Sequence, residues 1–232
     1  MMASGICFKG ALPLPEAIDE KQAGRYYGLR APDAAAEALL ARLAPGLLAA
    51  AAPRCVWQEF VPREQPALLV GRDIAAHMDG CTSFVLLGVT LGEGIDRAVR
   101  RAGIGDVAAA MAADALASAL AEQAADIAQT QLRAALLAQG RYCTPRYSPG
   151  YGDWPLEVQP LIARLLDLPK NLGVTVTESN LMLPRKSVTA LLGVSEHAVK
   201  GKMAGCAACA LHGRCEFRKR GIYCGTESDI SK

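Results

Sequence analysis

From Asp106 to Ala138 the chain is rich in alanine and leucine at helical spacing, and at 1.5 Å per residue such a segment spans ~50 Å if unbroken. A helix of that length has to be the spine against which the rest of the chain packs. The advance of about 100° per residue puts Leu116, Leu120 and Ile127 near one side and Asp114, Ser118, Glu122 and Arg133 near the other. The apolar side predicts a buried face. Taken alone, the polar stripe reads as a solvated one.

Shorter elements surround this spine. Asp33 stands at a helix N-cap position, and the Ala/Leu-rich segment to Leu43 is helical in spacing until Pro45 and Gly46, which are expected to stop it. Cys55 to Val61 and the apolar run Phe84 to Val89 read as strands, the second buried because it scarcely alternates. Gly71 to Met78 reads as a short helix between them. Thr90-Leu-Gly-Glu-Gly-Ile-Asp96 reads as a tight glycine turn opening a helix, since its spacing fits neither dinucleotide nor nucleoside-triphosphate fingerprints. Leu156 to Leu168 predicts another helix. Gly173 to Glu178 alternates like a strand, and Ser187 to Leu192 is expected to pair with it across Pro184. Long helices with few, hairpin-compatible strands predict an α+β fold, an antiparallel sheet flanked by long helices.

Composition narrows the function classes. The 232 residues are 51% hydrophobic and 21% charged with a formal net charge of +2, an ordinary globular balance that points to no nucleic-acid or anionic-membrane partner. Met1 to Gly10 lacks the pattern of a secretory signal, and Ala34 to Ala52 is broken by Glu37, Arg42 and Pro45, short of the ~20 apolar residues of a membrane span. The expectation is a cytoplasmic protein.

Arg146-Tyr-Ser-Pro-Gly-Tyr-Gly-Asp-Trp-Pro155 is where ligand chemistry concentrates. Prolines fix φ and glycines permit close-approach geometry, so such a loop can be stiff while its backbone polar groups face a ligand. An arginine fork suits a carboxylate, and an aromatic face suits a flat base or a cation. A zwitterionic amino acid joined to a nucleoside would use all of these. By itself such a loop is more often a packed surface turn, with Trp154 simply core.

The phrase Arg146-Tyr-Ser-Pro-Gly150-Tyr151 followed by Pro155, with Thr177-Glu-Ser-Asn-Leu-Met-Leu-Pro184 and Ser187-Val188 further on, resembles the S-adenosylmethionine-binding activation domain of cobalamin-dependent methionine synthase. Arg25-Tyr-Tyr-Gly28, Thr90 to Asp96 and a cysteine-rich end are similar to the free-standing form of that domain, so the likeness covers most of the chain. The resemblance implies that Arg146 grips the ligand carboxylate, that the backbone at Ser148 and Gly150 meets the adenosine portion, and that Tyr151 lines the pocket. It also implies an acidic side chain on the long helix for the ligand amino group. The aligned position is Ser118, and Glu122, one turn away on the same face, is expected to substitute. A later tyrosine of the full-length enzymes has no counterpart. The activity implied is reductive methylation of cobalamin carried by a separate methionine synthase or other corrinoid protein, with a flavodoxin or ferredoxin as electron donor. No catalytic acid, base or nucleophile is expected.

Cys206, Cys209, Cys215 and Cys224 give C-x2-C-x5-C-x8-C, a set able to wrap four thiolates around one metal. Zinc would make the tail a structural knuckle, and an iron–sulfur cluster would make it an electron carrier. Two regions are therefore expected, an activation-like domain over 1–200 and a metal-binding tail over 201–232. The alternative function is a zinc or iron–sulfur module serving another partner. A small-molecule methyltransferase of the usual fold lacks its Gly-x-Gly signature here. A zinc-ribbon nucleic-acid module fits poorly with the near-neutral charge.

Overall fold

The computed structural model describes residues 5–201 and residue 213. Its elements in chain order are β1 (Cys7–Ala11), α1 (Glu20–Tyr27), α2 (Ala34–Ala50), β2 (Arg54–Phe60), α3 (Arg72–His77), β3 (Ser83–Thr90), α4 (Glu93–Ala102) and α5 (Val107–Leu137). They continue with β4 (Tyr142–Cys143), α6 (Gln159–Leu165), α7 (Leu168–Leu172), β5 (Thr175–Val176), β6 (Met182–Leu183) and β7 (Ser187–Ser195).

One antiparallel sheet runs in the order β1-β2-β3-β7-β4, and β5 and β6 form a separate two-stranded ribbon. The α+β reading holds. Alternate residues of the central strands feed two cores. Trp57, Val85, Leu87, Val89, Leu192 and Val194 join α1, α2 and α5 on one face. Val56, Phe84, Leu86 and Leu191 join Tyr147, Trp154, α6 and α7 on the other. Because helices cover both faces, β3 is buried almost throughout, which is why its sequence scarcely alternates.

The spine forms as expected, with Asp106 accepting from the Ala109 N–H at its N-terminus. Its buried alanines, among them Ala113, Ala117, Ala121 and Ala124, keep its surface low enough for α1 and α2 to lie close against it. The 3.0 Å bond from the Asp19 amide to Gln123 Oε1 and the 3.1 Å bond from Gln123 Nε2 to the Ala17 carbonyl fasten the start of α1 to α5.

Four local readings need correction. α2 does not stop at Pro45 but runs on to Ala50. Asp33 caps it through the Ala35 and Ala36 amides, and Leu40, Ala44 and Leu47 are buried along one face on both sides of the proline. That burial offsets the ~3 kcal/mol an interior proline costs. Second, Leu156 to Leu168 is a 3₁₀ turn followed by α6, broken where Asp167 adopts φ 45° before α7 begins.

The third correction bears on the site. The Thr175–Val176 strand pairs with Met182–Leu183, not with the segment after Pro184. That later segment, β7, enters the main sheet between β3 and β4. Ala190, Leu191, Leu192 and Val194 are all fully buried, so both faces are apolar and only an interior position satisfies them. The fourth concerns the polar stripe of α5, which is no plain solvated face. Lys186 Nζ lies 2.8 Å from Asp114 Oδ1 and donates to Ser118 Oγ at 2.9 Å, and Arg146 reaches Glu122 and Asp126.

β1 and α1 went unread because a five-residue edge strand and an eight-residue helix carry little periodic signal. Among the described residues no helix is long and apolar enough to cross a membrane.

Candidate functional site

The loop after β4 is fixed at several points. Tyr147 exchanges backbone hydrogen bonds with Leu191 of β7 at 3.0 and 2.8 Å, which sets the loop against the sheet. Within it the Gly150 amide donates to the Trp154 carbonyl at 2.9 Å and the Trp154 amide to the Tyr151 carbonyl at 3.0 Å. Trp154 is buried, and its indole N–H donates to the Leu68 carbonyl at 2.8 Å. Asp153 then caps α3, accepting from the Arg72 and Asp73 amides at 2.9 and 2.8 Å, while Asp73 accepts from the Asp153 amide at 3.1 Å. This reciprocal pair ties the far end of the loop down.

Glycine is required at position 152. Its φ of 55° lies in the left-handed region, and a Cβ there would fall onto the Asp73 carboxylate and the Tyr147 hydroxyl. Tyr147 sits at the centre of an aromatic group, its ring 5.0 Å from His77, 6.1 Å from Trp154 and 6.2 Å from Tyr151. Burial, reinforced by the Asp73 and Asp153 carboxylates, pushes its phenol up to about 12.

In front of this support lies a cleft of about 480 Å³. Glu122 of α5 forms one wall, Ser148, Pro149 and Tyr151 of the loop a second, and the turn from Thr177 to Leu183 a third, with Arg185 and Ser187 to Thr189 closing it at the start of β7. The β5–β6 turn is shaped by the Thr177 amide donating to the Leu181 carbonyl at 2.8 Å and by Asn180 at φ 62°. Thr189 Oγ1 donates to Gln159 Oε1 at 2.9 Å beneath it.

The two segments singled out in the sequence therefore converge on one cavity. Glu122, Ser148 and Tyr151 line it. Gly150, at φ 88°, turns its amide inward and shapes the loop between Pro149 and Tyr151. Arg146 stands one layer behind, its side chain 16% exposed, with one guanidinium nitrogen 3.3 Å from Glu122 Oε2. Its other terminal nitrogen is 2.9 Å from Asp126 Oδ1 but out of line for a hydrogen bond, so that contact is chiefly charge on charge. Ser118 is turned to Lys186 instead of the cavity, which leaves Glu122 as the α5 carboxylate on the cleft wall.

Sequence reasoning missed Arg185 and Lys186, although both stand inside the Thr177 to Val188 segment, where two cations beside hydroxyls were the available signal. It also missed Tyr26. Partial burial raises the Tyr26 phenol, and the charge of Glu122 raises it further, so α1 brings a second tyrosine within electrostatic reach of the site. A second cleft of about 450 Å³ between α1 and α2, lined by Glu20, Lys21, Arg25 and Glu37, contains none of the loop residues.

Among the described residues no group of three or more His, Cys, Asp or Glu is arranged to hold a metal. Cys206, Cys209 and Cys224, with Cys215, lie outside the described residues.

The family model described as the activation domain of vitamin B12-dependent methionine synthase matches residues 72–204. A solved structure of the MetH reactivation domain bound to AdoHcy is similar in fold, with a TM-score of 0.63 and 18% identity over 94% of this chain and 87% of that one. No curated protein matches the sequence. The family match begins at α3, runs through the spine, the capped loop and the ribbon, and passes the end of β7, so it takes in every wall of the cleft and more than half of the sequence. On that extent, the chain belongs to the family of vitamin B12-dependent methionine synthase activation domains.

Proposed function

We propose that the cleft binds S-adenosylmethionine and that the protein supports reductive methylation of a cobalamin held by a separate methionine synthase or related corrinoid protein. Arg146, Ser148, Gly150, Tyr151 and Glu122 form the binding set, with Arg146 taking the ligand carboxylate and, without ligand, pairing with Glu122. The observation that carries this reading is the meeting of the Arg146–Trp154 loop and the Thr177–Val188 segment around one cavity with an acidic wall.

The residues fit such a ligand in kind. The cavity volume lies inside the roughly 300–1,000 Å³ of small-molecule clefts. Glu122 offers a carboxylate to an ammonium or sulfonium, Tyr151 an aromatic surface, and Ser148 and Thr177 hydroxyls to a nucleoside. When bound, the ligand would supply the methyl group for transfer to the partner's cobalamin. The work of this chain is positioning: a stiff loop and a fixed carboxylate hold the ligand in one orientation at an open cleft.

The electron for such a reaction would come from a flavodoxin or ferredoxin, or from the tail. The spacing of Cys206, Cys209, Cys215 and Cys224 supports a bound zinc ion or an iron–sulfur cluster in a tail distinct from the 1–200 domain. Anaerobic purification with metal analysis and visible absorption separates the two: a colourless zinc protein ends the electron-carrier role.

The main test is a reconstitution of cobalt(II) partner, reductant and isotopically labelled S-adenosylmethionine, with and without this protein. Label should reach cobalamin only when the protein is present. No binding of S-adenosylmethionine in an equilibrium titration, with or without the partner, would falsify the proposal.

A further inference from the structure

Arg25-Tyr-Tyr-Gly28 closes α1, and the fold accounts for three of its four residues. Gly28 ends the helix at φ 95°, Tyr27 packs against the core that α5 joins, and the Tyr26 hydroxyl accepts from Gln22 Nε2 at 3.3 Å. Arg25 has no such account. Its Nε is buried without a hydrogen-bond partner among the described residues, and its guanidinium joins no ion pair there. A donor in that position has given up water and gained nothing, which is unfavourable until an acceptor arrives.

Arg25 lines the second cleft, the space of about 450 Å³ between α1 and α2. Leu29 and the buried Leu40 give that cleft an apolar lining. Three further charges stand on it, Glu20 and Lys21 from α1 and Glu37 from α2, all exposed. None of the three makes an ion pair or a side-chain hydrogen bond among the described residues. Both walls are fixed. Asp19 caps α1 by accepting from the Gln22 amide at 2.9 Å, Gln123 ties that end to α5, and Asp33 caps α2.

The two positive and two negative charges sum to zero. A bare anion that answers Arg25 meets repulsion from Glu20 and Glu37, and a bare cation meets repulsion from Arg25 and Lys21. A molecule with both charges side by side on an apolar stem meets attraction from each pair. We propose that the cleft between α1 and α2 is a second ligand site for a free α-amino acid with an apolar side chain. Its carboxylate sits on Arg25, its ammonium faces Glu37, and its side chain lies against Leu29 and Leu40. A guanidinium with free donors suits a two-point contact with a carboxylate. The cavity volume is within the roughly 300–1,000 Å³ of small-molecule sites. This cleft shares no lining residue with the main one and lies outside the stretch 72–204.

The test titrates L-leucine into the whole, isotopically labelled protein and follows the backbone amide signals by NMR, which gives affinity and location together. Two analogues run beside it: isocaproate, which lacks the ammonium, and isopentylamine, which lacks the carboxylate. Leucine should bind at least about 10-fold more tightly than either, the range of one charge-assisted contact. Signals of Gly24 and Leu29 should move, and those of the Ser148–Trp154 loop should stay still. Arg25→Gln should bring leucine down to the level of the amine, and Arg25→Lys should restore part of the loss. Glu37→Gln, at an exposed position, should bring it down to the level of isocaproate.

A wild type that binds no leucine, or binds it no more tightly than an analogue, overturns the proposal. So does leucine affinity unchanged by Arg25→Gln. Shifts confined to the Ser148–Trp154 loop would put leucine in the main cleft, and they overturn it as well.

Discussion

Arg146 and Glu122 meet at 3.3 Å between the loop and the spine, so the carboxylate on the cleft wall is held from behind by a buried guanidinium. Replacing Glu122 with glutamine keeps the shape and removes the charge. Cationic ligands should bind about tenfold more weakly, with the melting temperature little changed because Arg146 keeps Asp126. Calorimetric titration of S-adenosylmethionine against the wild-type protein and Glu122→Gln checks this, and unchanged affinity would show that Glu122 does not touch the ligand.

Gly152→Ala should both destabilise the protein and disturb the cleft. The added methyl group meets the Asp73 carboxylate and the Tyr147 hydroxyl in a left-handed backbone position. A cost of about 2–4 kcal/mol follows from overpacking plus backbone strain. Urea denaturation gives the number. A variant as stable as wild type would mean that the Asp73–Asp153 clasp is looser than the geometry implies.

Glu59 gives a pH signature. Burial pushes its carboxyl up, but hydrogen bonds from Arg141, Ser83 and the Ile6 amide outweigh that and hold it below the ordinary glutamate range. A depressed folded value contributes stability that is fully present above the unfolded pKa, ~4.3, and is lost as pH falls through the folded value. Glu59→Gln should therefore cost about 2 kcal/mol at pH 7, less than a fully buried pair because Arg141 is partly exposed. Below pH 4 the two stabilities should converge. Parallel curves across that window would contradict the assignment.

Cys55 is fully buried in β2, and burial pushes its thiol up to about 12, so almost none is thiolate at pH 8. Iodoacetamide followed by peptide mass mapping should label exposed Cys7 readily and Cys55 only in denaturant. Labelling of Cys55 in the native protein would show that the sheet opens on the timescale of the reaction.

Much of this architecture was readable before coordinates, for identifiable reasons. The spine, β3 and the Asp33 cap carry strong local signals, either sustained periodicity or a capping side chain. The stiffness of the Arg146–Pro155 loop was readable too, because prolines and glycines restrict the backbone by themselves. What escaped was set by tertiary contacts. Whether α2 continues past Pro45 depends on what Leu40 and Leu47 pack against. Whether β7 pairs with β5 or with β3 depends on burial of both its faces. Arg146 could be named as a site residue from the sequence, but its facing Glu122 and Asp126 needs the position of α5.

The strand that follows the ribbon is central in space, with β3 on one side and β4 on the other. Contacts so distant in sequence are slow to form, so this insertion should be among the later steps of folding. Until it occurs, Arg185 and Ser187 to Thr189 have no fixed place opposite Glu122, so the cleft lacks the wall they supply. A molecule that binds the cleft thus selects chains whose sheet is already closed, and its affinity doubles as a check that maturation is complete.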